Sequence, residues 1–167
     1  MIPGEPINLK EWKPPAVFHP GGRLFTCGRP GRAKFGTRRV RVDDNTIDSW
    51  VRGLLQVGVG HIVSLLGQKN DGFSEFNYYP FRSSEESGTR PTFQNWLNDR
   101  YGPRLIVHEF PTVDADFEGV LPEVLEEVKL CVLDLLRDGN TVVVVDSCGV
   151  VRTSTVCGVI GCKSMIK

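Results

Sequence analysis

The sequence predicts an α/β protein: one domain in which helices flank a central, mostly parallel sheet. Short apolar, β-branched runs alternate along the chain with segments of helical periodicity, which is typical of parallel strands joined by helical crossovers. The run TVVVV at 141–145 has four consecutive valines, as expected of a central strand covered on both faces. A length of 167 residues, with 40% hydrophobic and 24% charged residues, suits a single hydrophobic core.

The first half of the chain predicts an arm, a strand and a helix. Residues 1–22 hold five prolines and little periodicity, so we expect an extended arm ahead of a domain at 23–167. RLFTCG at 23–28 is a predicted strand closed by a glycine. A helix of roughly 46–58 follows, because its apolar side chains fall mostly on one face. Its N-cap chemistry comes from Asp43, Asp44 and Asn45.

The second half continues the alternation of strands and helices. Polar segments at 67–91 and 111–119 separate the elements and are predicted loops. A helix that starts at Pro122, a favourable first position, carries an apolar stripe as far as Gly139. The other predicted elements are a strand at 61–66, a helix at 93–102, strands at 104–110 and 141–145, and a final helix that begins near Arg152.

Charge and cysteine content exclude several classes of function. Twenty basic and twenty acidic residues cancel, so nothing favours nucleic acid or a membrane as partner. No apolar run approaches the length of a membrane span, and the first residues lack the apolar core of a signal peptide, so we expect a cytoplasmic or nuclear protein. The five cysteines predict reduced thiols, and the spacing of Cys157 and Cys162 suits neither a zinc hook nor a redox pair. We expect no metal and no cofactor.

A basic run at 29–41 has two interpretations. It holds six basic residues and no acidic one: Arg29, Arg32, Lys34, Arg38, Arg39 and Arg41. The run could dock a phosphorylated or acidic partner, or it could be a solvated loop. The sequence does not decide between the two.

The strand, turn and helix at 141–160 predict an anion site. After the buried strand comes a short glycine-containing turn, and at the start of the next helix free backbone N–H groups and the helix dipole favour a negative charge. An arginine at that point, Arg152, can hold two phosphate oxygens at once. The alternative is an ordinary strand-to-helix crossover in which Asp146 caps the helix.

The residues of this segment resemble the signature of the protein tyrosine and dual-specificity phosphatases, V-H-C-x-x-G-x-x-R-[ST]. The chain has V-V-V-V-D-S-C-G-V-V-R-T, which places Gly149, Arg152 and Thr153 on the family's glycine, arginine and hydroxyl positions. Asp146 stands at the position of the family's cysteine, and Val145 at that of its histidine.

Two further segments extend the resemblance. FPTVD at 110–114 is similar to the loop that supplies the family's general acid, which implies Asp114 in that role, with Asp116 as the alternative. The stretch from 23 to 110 resembles the layout of the cyclin-dependent-kinase-associated phosphatases. In all, the similarity covers roughly residues 23–160, and it implies a dual-specificity-phosphatase fold.

The resemblance assigns a site that lacks its nucleophile. Asp146 holds the nucleophile position, and Arg152 and Asp114 hold the other catalytic positions. The resemblance implies that phosphate is bound by the turn and the start of the helix, that is, by Ser147, Cys148, Gly149, Val150, Val151, Arg152 and Thr153. A carboxylate attacks a phosphate ester far less readily than a thiolate, and enzymes that form an aspartyl-phosphate characteristically use Mg²⁺. We therefore expect Asp146 to occupy part of the phosphate site, to accept hydrogen bonds from its amides and to pair with Arg152. Cys148 is the alternative nucleophile.

These expectations lead to one main function and two alternatives. The main one is a catalytically impaired phosphatase-like protein that binds phosphorylated protein or another protein partner. The first alternative is an active phosphoprotein phosphatase, which either uses an unorthodox nucleophile or is the active parent of this chain, substituted here at position 146. Val145 and Ser154 are additional departures from the family pattern, which favours natural change over a single engineered substitution. The second is a structural interaction domain. Only 15 residues follow Arg152, fewer than in the resembled family, which predicts an exposed apolar face there and self-association through it.

Overall fold

The computed structural model describes residues 8–14, 22–32, 42–66, 89, 91–110, 120, 122–146 and 151–164. Its strands are β1 (Lys10–Lys13), β2 (Arg23–Gly28), β3 (His61–Ser64), β4 (Ile106–Glu109), β5 (Thr141–Asp146) and β6 (Lys163–Ser164). Its α-helices are α1 (Asp44–Gln56), α2 (Phe93–Tyr101), α3 (Pro122–Arg137) and α4 (Val151–Ile160), and a 3₁₀ turn covers Gly102–Arg104.

The strands form one mixed sheet in the order β4-β3-β5-β2-β1-β6. β5 pairs in parallel with β2 on one side and with β3 on the other, and β3 pairs in parallel with β4. β1 runs antiparallel to both β2 and β6. The central place of β5 explains its composition, because a strand with neighbours on both edges and helices on both faces has no solvent-facing side.

Helices cover both faces of the sheet, and each strand sends alternate side chains to the two sides. One core joins α1 and α2 to the sheet and includes Phe25, Trp50, Ile62, Leu97 and Val143. The other joins α3 and α4 to the opposite face and includes Leu24, Val132, Leu136, Val144 and Val156. The chain is therefore an α/β protein whose sheet lies between two helical layers, as predicted at that level.

Local signals set the ends of the helices. The Asp43 carboxylate caps α1 by accepting a 2.7 Å hydrogen bond from the backbone N–H of Thr46. Beyond the other end, Gly58 has a φ of 85°, and the N–H groups of Gly58 and Val59 donate to the carbonyls of Leu55 and Leu54. This pair of bonds is a Schellman motif, which needs a left-handed residue after the helix and therefore favours glycine.

The structure agrees with the predicted order of elements from β2 to α4 and adds two strands. β1 lies within the segment predicted only as an extended arm, and β6 was not predicted. Predicted boundaries differ by a few residues: β3 ends at Ser64, and β4 begins at Ile106, after the 3₁₀ turn. Among the described residues, no helix is long and apolar enough to cross a bilayer.

The predicted apolar face near the chain's last residues is wrong for two of its members. Val156 and Ile160 are buried in the core against β5 and α3, whereas Val159 is 42% exposed. The cause is that α4 packs directly on the sheet and needs no further helix to cover those side chains. Met165, the fourth residue of that face, lies outside the described residues, and self-association stays a prediction.

The start of β2 passes very close to the end of α3. A Cβ atom on Gly22 would lie 2.5 Å from the backbone oxygen of Leu136, which is far inside van der Waals contact. The next residue, Arg23, donates its N–H to the carbonyl of Asn140 at 3.2 Å, so the two backbones are held together at this point. Only glycine fits there without moving the helix.

Replacing Gly22 with alanine should therefore destabilise the protein. We expect Gly22→Ala to lower the free energy of unfolding by about 1–3 kcal/mol, the usual cost of forced overpacking, measured by urea denaturation. Gly158→Ala is the matched control, because a Cβ there meets nothing within 4 Å and α4 would gain about 0.5–1 kcal/mol. Equal stabilities for the two variants would contradict the close approach.

Two histidines pair across β3 and β4. The Nδ1 atom of His61 and the Nε2 atom of His108 are 3.0 Å apart, and the two rings are stacked. Burial lowers the pKa of both imidazoles. A hydrogen bond with the side chain of Asn140 partly offsets this decrease for His61, and the charge of His61 lowers the pKa of His108 further. Full protonation of both rings would place two N–H groups face to face, so the pair is most stable when uncharged.

Stability should consequently fall when the solution is acidified past the ordinary histidine pKa. A histidine whose pKa is lowered by folding binds protons more readily in the unfolded chain, so the free energy of unfolding decreases as pH drops below about 6.5. Urea denaturation at a series of pH values from 7.5 downward would measure the slope. In the double variant His61→Gln/His108→Gln the slope just below pH 6.5 should be shallower, and an unchanged slope would show that the pair is not its source.

Candidate functional site

The candidate site lies where the carboxyl ends of the parallel strands meet the first turn of α4. Gly28, the last residue of β2, pairs in register with Asp146, the last residue of β5. Ser64, the last residue of β3, pairs with Val145. Three strands thus end side by side at the point where α4 begins five residues after β5, which is the edge at which open α/β sheets bind ligands.

Asp146 is fully buried at this edge. Its Oδ2 atom accepts a 3.1 Å hydrogen bond from the backbone N–H of Thr153, in the first turn of α4. That N–H is one of the helix-terminal donors that have no partner within the helix and that attract anions. One of the contacts expected of Asp146 is therefore present, and its pairing with Arg152 stays a prediction.

Arg152 is also fully buried and connects α4 to the end of β3. Its Nη1 atom donates to the carbonyl of Leu65 at 2.8 Å, and the N–H of Leu65 donates to the carbonyl of Val145. The side chain of Thr153 is buried next to it, and its hydroxyl oxygen has no hydrogen-bond partner within the described parts of the chain. The carboxylate and the helix amide are therefore in contact, and the Arg152 guanidinium is held at the end of the neighbouring strand β3.

A second buried arginine at this edge was not predicted as a site residue. Arg29 follows β2 directly and is only 1% exposed, although the sequence placed it in a basic run that either docks a partner or is solvated. The solvated-loop interpretation is wrong for this residue. Trp50 of α1 lies close by and donates its indole N–H to the carbonyl of Gly28 at 2.9 Å. The signal that could have identified Arg29 is its position immediately after a strand that pairs with β5.

Cys27 lies beneath this edge, paired in register with Val145. Burial raises the pKa of its thiol well above the ordinary value, and the negative charge of Asp146 raises it further. A thiol in such surroundings stays protonated at neutral pH and is a poor nucleophile. Cys27 therefore does not replace the cysteine that the family signature has at position 146.

The remaining predicted site residues stay predictions. Ser147, Cys148, Gly149 and Val150 lie outside the described residues, as do the acid candidates Asp114 and Asp116. Val151 is described only as the first residue of α4. Within the described ranges, no cluster of three or more histidine, cysteine, aspartate or glutamate residues could hold a metal ion.

The described part of the edge is chemically suited to holding an anion. It combines two buried guanidinium groups with one buried carboxylate and a helix N-terminus, so the formal charge of the three side chains is +1. Buried charges are tolerated only when they are paired and hydrogen-bonded, which makes each of the three expensive to remove.

No protein-family model matches the chain, and neither a curated protein nor a solved structure matches it.

Loss of the Asp146 carboxylate should destabilise the fold in a graded way. Asp146→Ala removes a fully buried carboxylate and the acceptor of the Thr153 N–H, so we expect a loss of about 3–5 kcal/mol in the free energy of unfolding. Asp146→Asn keeps an oxygen acceptor and should lose about 1–3 kcal/mol. Asp134→Asn, at an exposed carboxylate of α3, is the control and should change stability by less than about 0.5 kcal/mol. Urea denaturation would measure all three, and equal losses for Asp146→Ala and Asp134→Asn would contradict the role given to Asp146.

Proposed function

We propose that this chain is a catalytically impaired member of the protein tyrosine and dual-specificity phosphatase superfamily, which binds phosphorylated protein at the edge formed by Asp146, Arg152 and Thr153. The signature-like segment V-V-V-V-D-S-C-G-V-V-R-T supplies the resemblance. The observation that carries the proposal is the buried hydrogen bond from the N–H of Thr153 to the Asp146 carboxylate, beside the buried Arg152. An oxyanion ligand would take the same donors.

The reaction of the resembled family fails at its first step in this chain. That reaction needs a thiolate at the end of the central strand, which attacks phosphorus and forms a cysteinyl-phosphate. The residue there is Asp146, and the nearby thiol of Cys27 is held protonated. Arg152 and the amides of α4 retain the part of the chemistry that stabilises negative charge without supplying a nucleophile.

Asp146 also limits how strongly the site binds phosphate. Its carboxylate already accepts the hydrogen bond from Thr153 and places a negative charge where a phosphoryl oxygen would lie, so a phosphate must displace it or bind beside it. In this proposal the site has weak affinity for free phosphate, and a phosphoprotein adds contacts beyond the edge formed by Asp146, Arg152 and Thr153. The part of the basic run that follows the buried Arg29 supplies one such contact region.

Phosphate binding by two variants would test the proposal. Asp146→Asn should bind inorganic phosphate and a phosphotyrosine or phosphothreonine peptide at least about tenfold more tightly than the original chain, because a competing charge is removed. Arg152→Lys should bind these ligands at least about tenfold more weakly, because lysine cannot make the bidentate hydrogen bonds that a guanidinium makes to phosphate. Isothermal titration calorimetry would measure both, with Arg23→Lys as control, since Arg23 is exposed at the opposite end of β2 and pairs with Glu11.

Turnover assays complete the test. The chain itself should not hydrolyse an aryl phosphate, whereas Asp146→Cys should, and Asp146→Cys/Arg152→Lys should lose that activity again. Hydrolysis by the unaltered chain would favour an active phosphatase that uses another nucleophile. If Asp146→Asn bound neither phosphate nor phosphopeptide, the proposed function would be overturned in favour of a structural interaction domain.

A further inference from the structure

A second chemically distinctive place lies at the far end of α4, where two cysteines meet. After Ile160 the helix ends in a Schellman motif: the N–H of Cys162 donates to the carbonyl of Cys157 at 3.0 Å, and the N–H of Gly161 donates to that of Gly158 at 3.1 Å. Gly161 has a φ of 85°, the left-handed conformation that this motif requires. The motif folds Cys162 back over Cys157, a proximity that the spacing of the two residues in the sequence did not suggest.

The two thiols are in contact and differ in their surroundings. A hydrogen bond between them lowers the pKa of Cys162 and raises that of Cys157. Cys157 is fully buried in the core, whereas Cys162 is only partly buried at its margin. The ammonium group of Lys10, which lies over the ring of Trp12 on β1, adds positive charge near the pair.

We propose that Cys157 and Cys162 form a redox site in which hydrogen peroxide converts the two thiols into a disulfide. Cys162 is the thiol that peroxide reaches, because it is the more exposed of the two. Cys157 is the resolving thiol, because the turn already places it next to Cys162 and because it is shielded from solvent. The site is separate from the anion site and does not depend on its proposed function.

The reaction balances in two steps. The Cys162 thiolate attacks one oxygen of hydrogen peroxide: the S–O bond forms, the O–O bond breaks, and hydroxide leaves, which gives a sulfenic acid. The Cys157 thiol then gives up its proton as its sulfur attacks the sulfenic sulfur; the S–S bond forms, the S–O bond breaks, and water leaves. The two sulfurs are oxidised by two electrons in total, and one peroxide is reduced to two waters. A dithiol reductant reverses the change.

Neighbouring structure favours closure of this disulfide over other outcomes. The two cysteines belong to one turn and need no large movement to approach each other. The backbone hydrogen bond from the N–H of Cys162 to the carbonyl of Cys157 already holds them close. β6 begins at Lys163, directly after Cys162, and pairs with β1, so the residue after the pair is held in place as well. A sulfenic acid at Cys162 would therefore form next to its resolving thiol rather than persist.

Peptide mass spectrometry after peroxide treatment would test the proposal on the whole chain. Trypsin should release one peptide, Thr153–Lys163, that contains both cysteines and no other, and a separate peptide that contains Cys131. After peroxide treatment, the peptide Thr153–Lys163 should be lighter by two hydrogen atoms, and its cysteines should resist alkylation. We expect this disulfide to form at least about tenfold faster than Cys131 is oxidised. Cys131 is a suitable comparison because burial raises the pKa of its thiol.

Two variants assign the roles of the thiols. In Cys157→Ala the sulfenic acid at Cys162 should accumulate and be trapped by dimedone, whereas in Cys162→Ala the Cys157 thiol should stay reduced for as long as the protein is folded. In denaturing urea the preference over Cys131 should vanish. The proposal would be falsified if Thr153–Lys163 kept two alkylatable thiols while Cys131 was oxidised, if Cys162 formed its disulfide with Cys148 instead, or if Cys157→Ala gave no dimedone adduct.

Discussion

The structure depends on one strand that has no exposed side. β5 pairs in parallel on both edges and is covered by helices on both faces, so its four consecutive valines lie entirely inside the protein. Every other element is placed relative to it: β2 and β3 by their pairing, and the two helical layers by the side chains that β5 sends alternately to each face. A single polar residue in that run would leave an unsatisfied group in the interior.

The same burial dictates the character of the candidate site. Because β5 is enclosed as far as its last residue, Asp146 is removed from water together with the arginines that follow β2 and begin α4. Charged side chains in such a place are kept only by fixed partners, and here these include a helix amide and the carbonyl of Leu65. The burial of the site is therefore a consequence of the apolar strand that leads into it.

The sequence allowed the parts of the molecule with local signals to be predicted, and it failed where the deciding contact is distant. The Asp43 cap, the glycines after α1 and α3 and the all-valine strand were sufficient for the main elements and for placing Asp146 at the start of α4. β1 is a short charged segment that becomes a strand only because β2 offers an antiparallel edge. Burial of Arg29 requires knowing that β2 lies beside β5, and the contact between Cys157 and Cys162 requires the left-handed turn at Gly161.

The order of strands in the sheet also constrains how the chain can be assembled during translation. β1 with β2, and β3 with β4, are neighbours in both sequence and space, so these two pairs can form as soon as they leave the ribosome. The strand that must be inserted between them is made later, after a long helix. Until then the facing edges of β2 and β3 remain open and apolar, which makes the nascent chain a substrate for chaperones and prone to aggregation.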